Sequence, residues 1–279
     1  MKISIVIPVY NEGEALEVCL EAISRQVLQP FEVIVVDNNS TDDTAFVARS
    51  YPFVTLLAEP RQGVSHARNR GFNAATGDII GRIDADTILP EDWTATLAGI
   101  FIDKSISAVS GSAHYYDFAL AGVADRFDGY FRNYLALKLK QDNFLWGANM
   151  GVRRSSWRQI RRHLCSQRYM HEDFDLGIHL QEHGYRVAYS AELRAGVSSR
   201  RIDTGWLDYL RYTLRSPQTY ARHNLSSQRH MYPVIAACWL AYLPGRLIYR
   251  GYNPASQSFS LSQLLSGTTA RVDPTSNVA

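Results

Sequence analysis

Two carboxylates one residue apart, Asp84 and Asp86, close the stretch Gly77-Asp78-Ile79-Ile80-Gly81-Arg82-Ile83-Asp84-Ala85-Asp86-Thr87. Both are hard oxygen donors, which suit Mg²⁺ or Mn²⁺ carrying a phosphate better than zinc. A second acidic pair, Glu172-Asp173, stands where a helix is expected to begin. A carboxylate there can take a proton from a hydroxyl. The helix dipole lowers its pKa while the neighbouring acid raises it, and the sequence leaves that balance open. Each pair also has a plainer reading, a solvated loop for the first and ordinary amino-terminal helix acids for the second.

The elements that must position these acids are legible from apolar patterning. Four of the five residues Ile79 to Ile83 are apolar or glycine, the pattern of a short buried parallel strand. Its acids then fall at the carboxyl end, where open α/β sheets bind ligands. Ile3 to Val9 is a β-branched strand ended by Tyr10-Asn11-Glu12-Gly13. Leu16, Cys19, Leu20 and Ile23 then mark one face of a helix that Pro30 breaks. Glu32 to Asp37 is a second apolar strand, followed by the turn and capping residues Asn38 to Thr44. A helix through Ala45 and Ala48 leads to a strand at Val54 to Leu57, and another helix begins near Gly63 and ends by Gly77. This alternation predicts a parallel sheet with right-handed crossovers. Pro90-Glu91-Asp92-Trp93 is expected to form the first turn of a further helix, and Ala108 to Gly111 a further strand.

Beyond about Asp117 aromatic residues crowd in. Leu145 to Val152 reads as a small-residue strand or loop that lets a ligand approach the backbone. A helix opens at His171 to Leu176 and ends at Gly184, and Arg186 to Tyr189 is expected as a short strand. Two helical segments follow, near Trp206 to His223 and Pro233 to Arg250. The stretch from Pro254 is polar and is expected to be disordered.

Composition narrows the function classes. The 279 residues are 46% hydrophobic and 20% charged, enough for a sizeable core. A net charge of +2 gives no argument for nucleic acid as a partner. Three widely spaced cysteines, Cys19, Cys165 and Cys238, show no metal or disulfide spacing, which points to a reducing, cytoplasmic setting. The first residues lack a long apolar core and a cleavage site, and Glu12, Glu14 and Glu17 follow directly, so they read as a strand and not a signal peptide. No run is seen to approach the about 20 apolar residues of a membrane span. Residues 232–250, with Tyr232, Trp239, Tyr242, Tyr249, Arg246 and Arg250, are read either as a helix lying on a membrane surface or as one packed on the main domain.

Six segments in order resemble the family 2 inverting glycosyltransferases of the GT-A fold. They are Ser4 to Glu12, Val36 to Thr44, Ala67 to Gly71, Asp84-Ala85-Asp86, Gly147 to Met150 and Glu172-Asp173, spanning roughly 3 to 190. The resemblance implies a Rossmann-like, mostly parallel sheet flanked by helices over 1–200, with a nucleotide-sugar half (about 1–115) and an acceptor half (about 116–200). A helical carboxy-terminal extension at 201–252 and a tail at 253–279 complete the expectation. It implies transfer from a nucleotide-sugar to an acceptor hydroxyl with inversion, a divalent cation (Mn²⁺ or Mg²⁺), and a glycan or glycolipid acceptor in cell-surface synthesis. Pro8, Tyr10 and Glu12 would line the nucleobase and ribose pocket, with Asp37 and Asn39 at the end of the second strand and Arg68 facing the nucleotide or diphosphate. Asp84 and Asp86 would hold the metal. Asp173 would be the base, beside Glu172, with Trp146, Gly147 and Asn149 on the acceptor side.

Several alternatives stay open. Tyr10 can be core, Asp37 can merely cap a helix, Arg68 can be solvated, and Trp146 can pack in the core or stack on a sugar. Where many relatives carry a His or basic residue, this chain has Ser198-Ser199-Arg200-Arg201, so Arg200 or Arg201 is expected at the diphosphate. That departure leaves a third metal ligand unassigned, with His223 and His230 as candidates. The Gln-x-x-Arg-Trp motif of processive relatives is missing, which favours single-sugar transfer. A sugar nucleotidyltransferase is disfavoured because Tyr10-Asn11-Glu12-Gly13-Glu14 is acidic where a triphosphate would need a basic, glycine-rich loop. A non-catalytic nucleotide- or membrane-binding module is disfavoured by retention of both acidic pairs.

Overall fold

The computed structural model describes residues 1–139, 143–165, 170–254 and 256–260. The β-branched run becomes β1 (Ile3–Val9), which pairs in parallel with β2 (Glu32–Asp37) and, on its other side, with β4 (Ile79–Ile83). β3 (Val54–Ala58) extends the sheet beyond β2. The full order of the seven strands is β3-β2-β1-β4-β6-β5-β7, with β5 (Ile106–Tyr115), β6 (Asn149–Arg153) and β7 (Arg186–Val197). β6 runs antiparallel between β4 and β5, so the sheet is mostly parallel. The segment read as strand or loop is therefore an inner strand, and both its faces are buried.

Helices α1 (Gly13–Ser24), α2 (Thr44–Ser50) and α3 (Val64–Ala74) are the crossovers of the first half. α1 buries Leu16, Cys19, Leu20 and Ile23, the face its periodicity predicts. The alternation of β1 sends Ile3, Ile5, Ile7 and Val9 into one core layer with α1 and α4 (Trp93–Ile100), while Val6 enters the opposite layer with Phe72 of α3. That second layer also takes Trp157 of α6 (Arg154–Ile160) and Leu176 and Leu180 of α7 (Glu172–Glu182). α5 (Ala121–Leu139), α8 (Trp206–Arg222) and α9 (Met231–Gly251) gather near the far end of the sheet, around a smaller cluster of Leu135, Leu139, Phe144, Tyr220 and Met231.

Some expectations are corrected. Pro90, Glu91 and Asp92 lie ahead of α4, because the Trp93 N–H bonds the Pro90 carbonyl in a turn before the helix starts. The strand at Arg186 continues to Val197: after a register shift, Arg194 to Val197 pair with Ser112 to Tyr115. Leu193, Ala195 and Val197 are buried there while Glu192 and Arg194 are exposed, an alternation that the polar residues obscure in a plain hydropathy reading. The statement that no run could span a membrane also fails. Ser226–Gly251 is one continuous helical stretch whose most apolar 18-residue window has a mean hydropathy of 1.3, long and apolar enough to cross by length and composition. Interspersed tyrosine, tryptophan and proline hide it as a run of aliphatic residues. Of the proposed tail 253–279, residues 255 and 261–279 lie outside the described residues, and Ser258–Phe259 (β9) pairs with Tyr252–Asn253 (β8) as a short hairpin.

Candidate active site

β1, β2 and β3 run outward in one direction, and β4 then joins the opposite side of β1. The loops leaving β1 and β4 therefore diverge at their carboxyl ends, the switch point of the sheet, where open α/β folds form their binding crevice. Glu12 follows β1 and the Asp84–Asp86 pair follows β4. Arg200 joins them. Its guanidinium donates to both oxygens of Glu12, at 2.8 and 2.6 Å, and its Nη2 lies 2.8 Å from Asp86 Oδ2. The backbone that carries Arg200 is itself fixed: the Ser198 hydroxyl and the Ser199 N–H both donate to Asp117, at 2.5 and 2.7 Å. Asp86 is anchored by its carbonyl, which accepts the Tyr116 hydroxyl at 3.0 Å.

Arg82 is a second cationic centre, and sequence reasoning passed over it. It is the charged residue within the apolar β4 run, 4% exposed. Strand parity puts it two residues before Asp84, on the same side of the strand. Its Nη2 lies 3.0 Å from Asp84 Oδ1 and 3.3 Å from Glu172 Oε1, so it ties the strand-end acids to the first turn of α7. The glycine at 147 makes room for it: a Cβ there would fall 1.0 Å from Arg82 Nη1.

Asp173 sits beside this pair, 7% exposed. One oxygen accepts the Gly147 N–H at 2.7 Å and the other the Phe174 N–H. Burial, and then the charge of Glu172, push its pKa up to about 7, against the opposing pull of Arg82 and these two N–H groups. Burial and the neighbouring acid thus prevail over the stabilising donors. The group is poised near neutrality, as a general base requires.

The other expected residues fall in different places. Pro8 and Tyr10 are half-buried at the end of β1. Asp37 ends β2 and accepts the Ser40 N–H at 3.0 Å, a turn bond. Asn39 adopts φ 67° and donates to the Pro60 carbonyl and Gln62, tying together the loops after β2 and β3. Arg201 lies over the Tyr212 ring at 3.9 Å, so of the two arginines it is Arg200 that reaches the acids. Trp146 is half-buried, with the Arg132 guanidinium 3.8 Å from its ring centre.

Three expectations need correction. Arg68 is 1% exposed, not facing an open pocket: it donates to the Glu172 carbonyl at 2.9 Å and to Asn69, bracing α3 against α7. Asn149 is fully buried, and its amide is committed to Trp93, Ser112 and Leu193, which makes it a core fastener and not an acceptor contact. His223 is engaged by Asp175 at 2.9 Å, on a part of α7 away from Asp173, and so is not a third ligand beside Asp84 and Asp86.

Comparison with known proteins identifies the family and the fold. The family model described as glycosyl transferase family 2 matches residues 4–161, more than half of the chain. The chain belongs to glycosyl transferase family 2. This family 2 chain is 35% identical over 120 residues to glycosyltransferase GlyG of Streptococcus pneumoniae, covering 41% of the chain and 40% of that protein. It is 33% identical over 175 residues to an undecaprenyl-phosphate 4-deoxy-4-formamido-L-arabinose transferase of Pectobacterium carotovorum, covering 60% of the chain and 47% of that protein. The chain thus spans less than half the length of these two relatives. Among solved structures, the mannosyltransferase PcManGT of Pyrobaculum calidifontis, in complex with GDP-Man and Mn²⁺, superposes with a TM-score of 0.63 at 21% identity, covering 95% of this chain and 77% of that one. The GT-A fold expected from the sequence is the fold observed.

Proposed function

We propose that this family 2 glycosyltransferase moves a sugar from a nucleoside-diphosphate sugar to an acceptor hydroxyl with inversion. The observation that carries this reading is the crevice itself: Asp84, Asp86, Glu12, Arg82 and Arg200 meet at the switch point beside a carboxylic acid held near pKa 7. The donor set at Asp84 and Asp86 is all oxygen, and the crevice gathers more carboxylates than guanidinium groups, which fits a divalent cation such as Mn²⁺ or Mg²⁺. Held by Asp84 and Asp86, it would supply Lewis-acid neutralisation of the diphosphate.

The chain's own residues do the rest. Arg200 exchanges a carboxylate partner for a phosphate oxygen, the bidentate recognition to which a guanidinium is suited. Arg82 keeps Asp84 and Glu172 in place and offsets their mutual repulsion. Asp173 takes the acceptor hydroxyl proton, and the Gly147 and Phe174 N–H groups hold its carboxylate in orientation. Pro8, Tyr10, Asp37 and Asn39 flank the base and ribose side of the crevice.

Helix α5 of the expected acceptor half and helix α9 of the extension carry exposed apolar side chains suited to a lipid-linked acceptor. Leu240, Leu243 and Leu247 of α9 are 83%, 67% and 61% exposed, and Val123, Phe127, Tyr130 and Leu137 of α5 are also exposed. A peripheral position on the inner face of a membrane follows from this reading. The decisive experiment incubates the protein with a panel of nucleotide-sugars, Mn²⁺ and polyprenyl-phosphate or glycan acceptors, and assigns the product anomer by NMR. An inverted product that disappears in Asp173→Asn and Asp86→Asn supports the assignment. A retained configuration, or full activity in either variant, overturns it.

A further inference from the structure

We propose that Cys165, Asp175, His179 and His223 form a zinc site, separate from the catalytic crevice, that clasps the helical extension to the catalytic domain. It is the one such cluster among the described residues, and its four ligand atoms lie within 4.8 Å of one another. Cys165 Sγ is 3.7 Å from His179 Nε2 and 3.9 Å from His223 Nε2. Asp175 Oδ1 is 3.5 Å from His179 Nε2 and 2.9 Å from His223 Nε2. A tetrahedron with zinc–sulfur bonds of about 2.3 Å and zinc–nitrogen or –oxygen bonds of about 2.0 Å has S···N edges of roughly 3.6 Å and N···O edges of roughly 3.3 Å. These four edges need shifts of only a few tenths of an ångström to match, and the other two are within 4.8 Å.

The surroundings argue the same way. The two imidazoles turn their Nδ1 atoms toward one carboxylate, Glu182, at 2.8 Å for His179 and 3.6 Å for His223. Neither Nδ1 makes a well-formed hydrogen bond to it, but Glu182 stands on the side of both rings where the outer carboxylate partner of a metal-bound histidine is usually found. Both Nε2 atoms lie beside the same thiol and the same carboxylate oxygen. The set of one sulfur, two imidazoles and one carboxylate is borderline-soft and closed, which selects Zn²⁺ over Mg²⁺. Binding releases one proton from the Cys165 thiol to solvent. Thiolate, carboxylate and two neutral imidazoles then balance the dication.

The placement gives the site a role. Cys165 follows α6, Asp175 and His179 stand one turn apart on α7, and His223 caps the end of α8. Asp175 lies about 200° around the helix from Asp173, so the site is behind the base and not in the crevice. A metal there links three segments and fixes α7, whose first turn carries Asp173.

The test uses the full chain, stripped with a chelator and titrated with Co²⁺ as the probe. Wild type should develop the intense visible bands of tetrahedral cobalt with a thiolate charge-transfer band, saturating at one equivalent and bleached by one equivalent of Zn²⁺. Asp86→Asn should keep these bands, and Cys165→Ser and His179→Gln should lose them. Zn²⁺ should raise the melting temperature of wild type but not of Cys165→Ser. Weak six-coordinate cobalt spectra in wild type, bands that survive Cys165→Ser, or bands lost in Asp86→Asn would each overturn the proposal. If both cluster variants fail to fold, the wild-type spectrum and its displacement by zinc decide alone.

Discussion

Asp173 can accept a proton only while ionised, and its surroundings set when that happens. With its pKa pushed up to about 7, the free enzyme's kcat/KM should rise with pH and level off above about 7, an acidic limb that pH-rate measurements would reveal. The stability sign is opposite. The folded state keeps a proton that the unfolded chain gives up near the ordinary aspartate value, so stability falls as pH rises from about 4 to about 7. Asp173→Asn should therefore lose transfer by about 10²- to 10⁴-fold without a lower melting temperature at pH 8. Arg82 supplies a second expectation. It pulls Asp173 toward ionisation, so Arg82→Met should move the acidic limb to higher pH as well as slow transfer. The acids were legible in the sequence because apolar patterning locates a strand end and a helix start. Arg82 was not, because nothing near it in the chain announces a partner 90 residues on; only its parity with Asp84 carries a hint. Asn149 was misread for the converse reason: its neighbours Gly147 and Ala148 do border the site, but the strand begins at Asn149 and turns that side chain into the core.

At the scale of elements, the short 3₁₀ turn Arg200–Asp203 depends on a distant helix. Asp203, 3% exposed, accepts Arg246 at 3.2 Å and also Arg250, both from the last turns of α9, and the Tyr242 hydroxyl donates to the Thr204 carbonyl at 2.7 Å. Asp117 holds the other end of the turn. The extension is therefore part of the apparatus that aims Arg200 at Glu12 and Asp86. Asp203→Ala leaves two guanidinium groups without their shared acid and should cost about 2–4 kcal/mol, read from urea unfolding. Its distinguishing signature is a raised KM for the nucleotide-sugar, since Arg200 loses its fixed backbone while Asp173 is untouched. The helices and strands themselves were largely readable, from β1 through α3, where each has one buried pattern. β7 was cut short because a strand with an exposed polar edge and a register shift does not show a continuous apolar run.

For the whole molecule, the leucine stripe of α9 calls for an apolar surface to cover it. Leu240, Leu243 and Leu247 recur at helical spacing and are each more than half exposed, while only 11% of the apolar window in Ser226–Gly251 is buried. The nearby arginines do not advertise a lipid-phosphate site, because Arg246 and Arg250 are paired with Asp203. Membrane attachment by this face should then be driven by apolar burial and be only weakly sensitive to salt. Burying a leucine side chain is worth about 1.5–3 kcal/mol, and partial insertion about 1–2 kcal/mol. Replacing all three by serine should therefore weaken binding to lipid vesicles by roughly 10²- to 10⁴-fold. Because these side chains are already in solvent, the variant should keep its melting temperature and its transfer to a soluble acceptor. Co-sedimentation with vesicles at low and high salt reads the outcome. Wild-type protein that stays in the supernatant, or a variant that pellets as well as wild type, would show that this stripe does not face a bilayer.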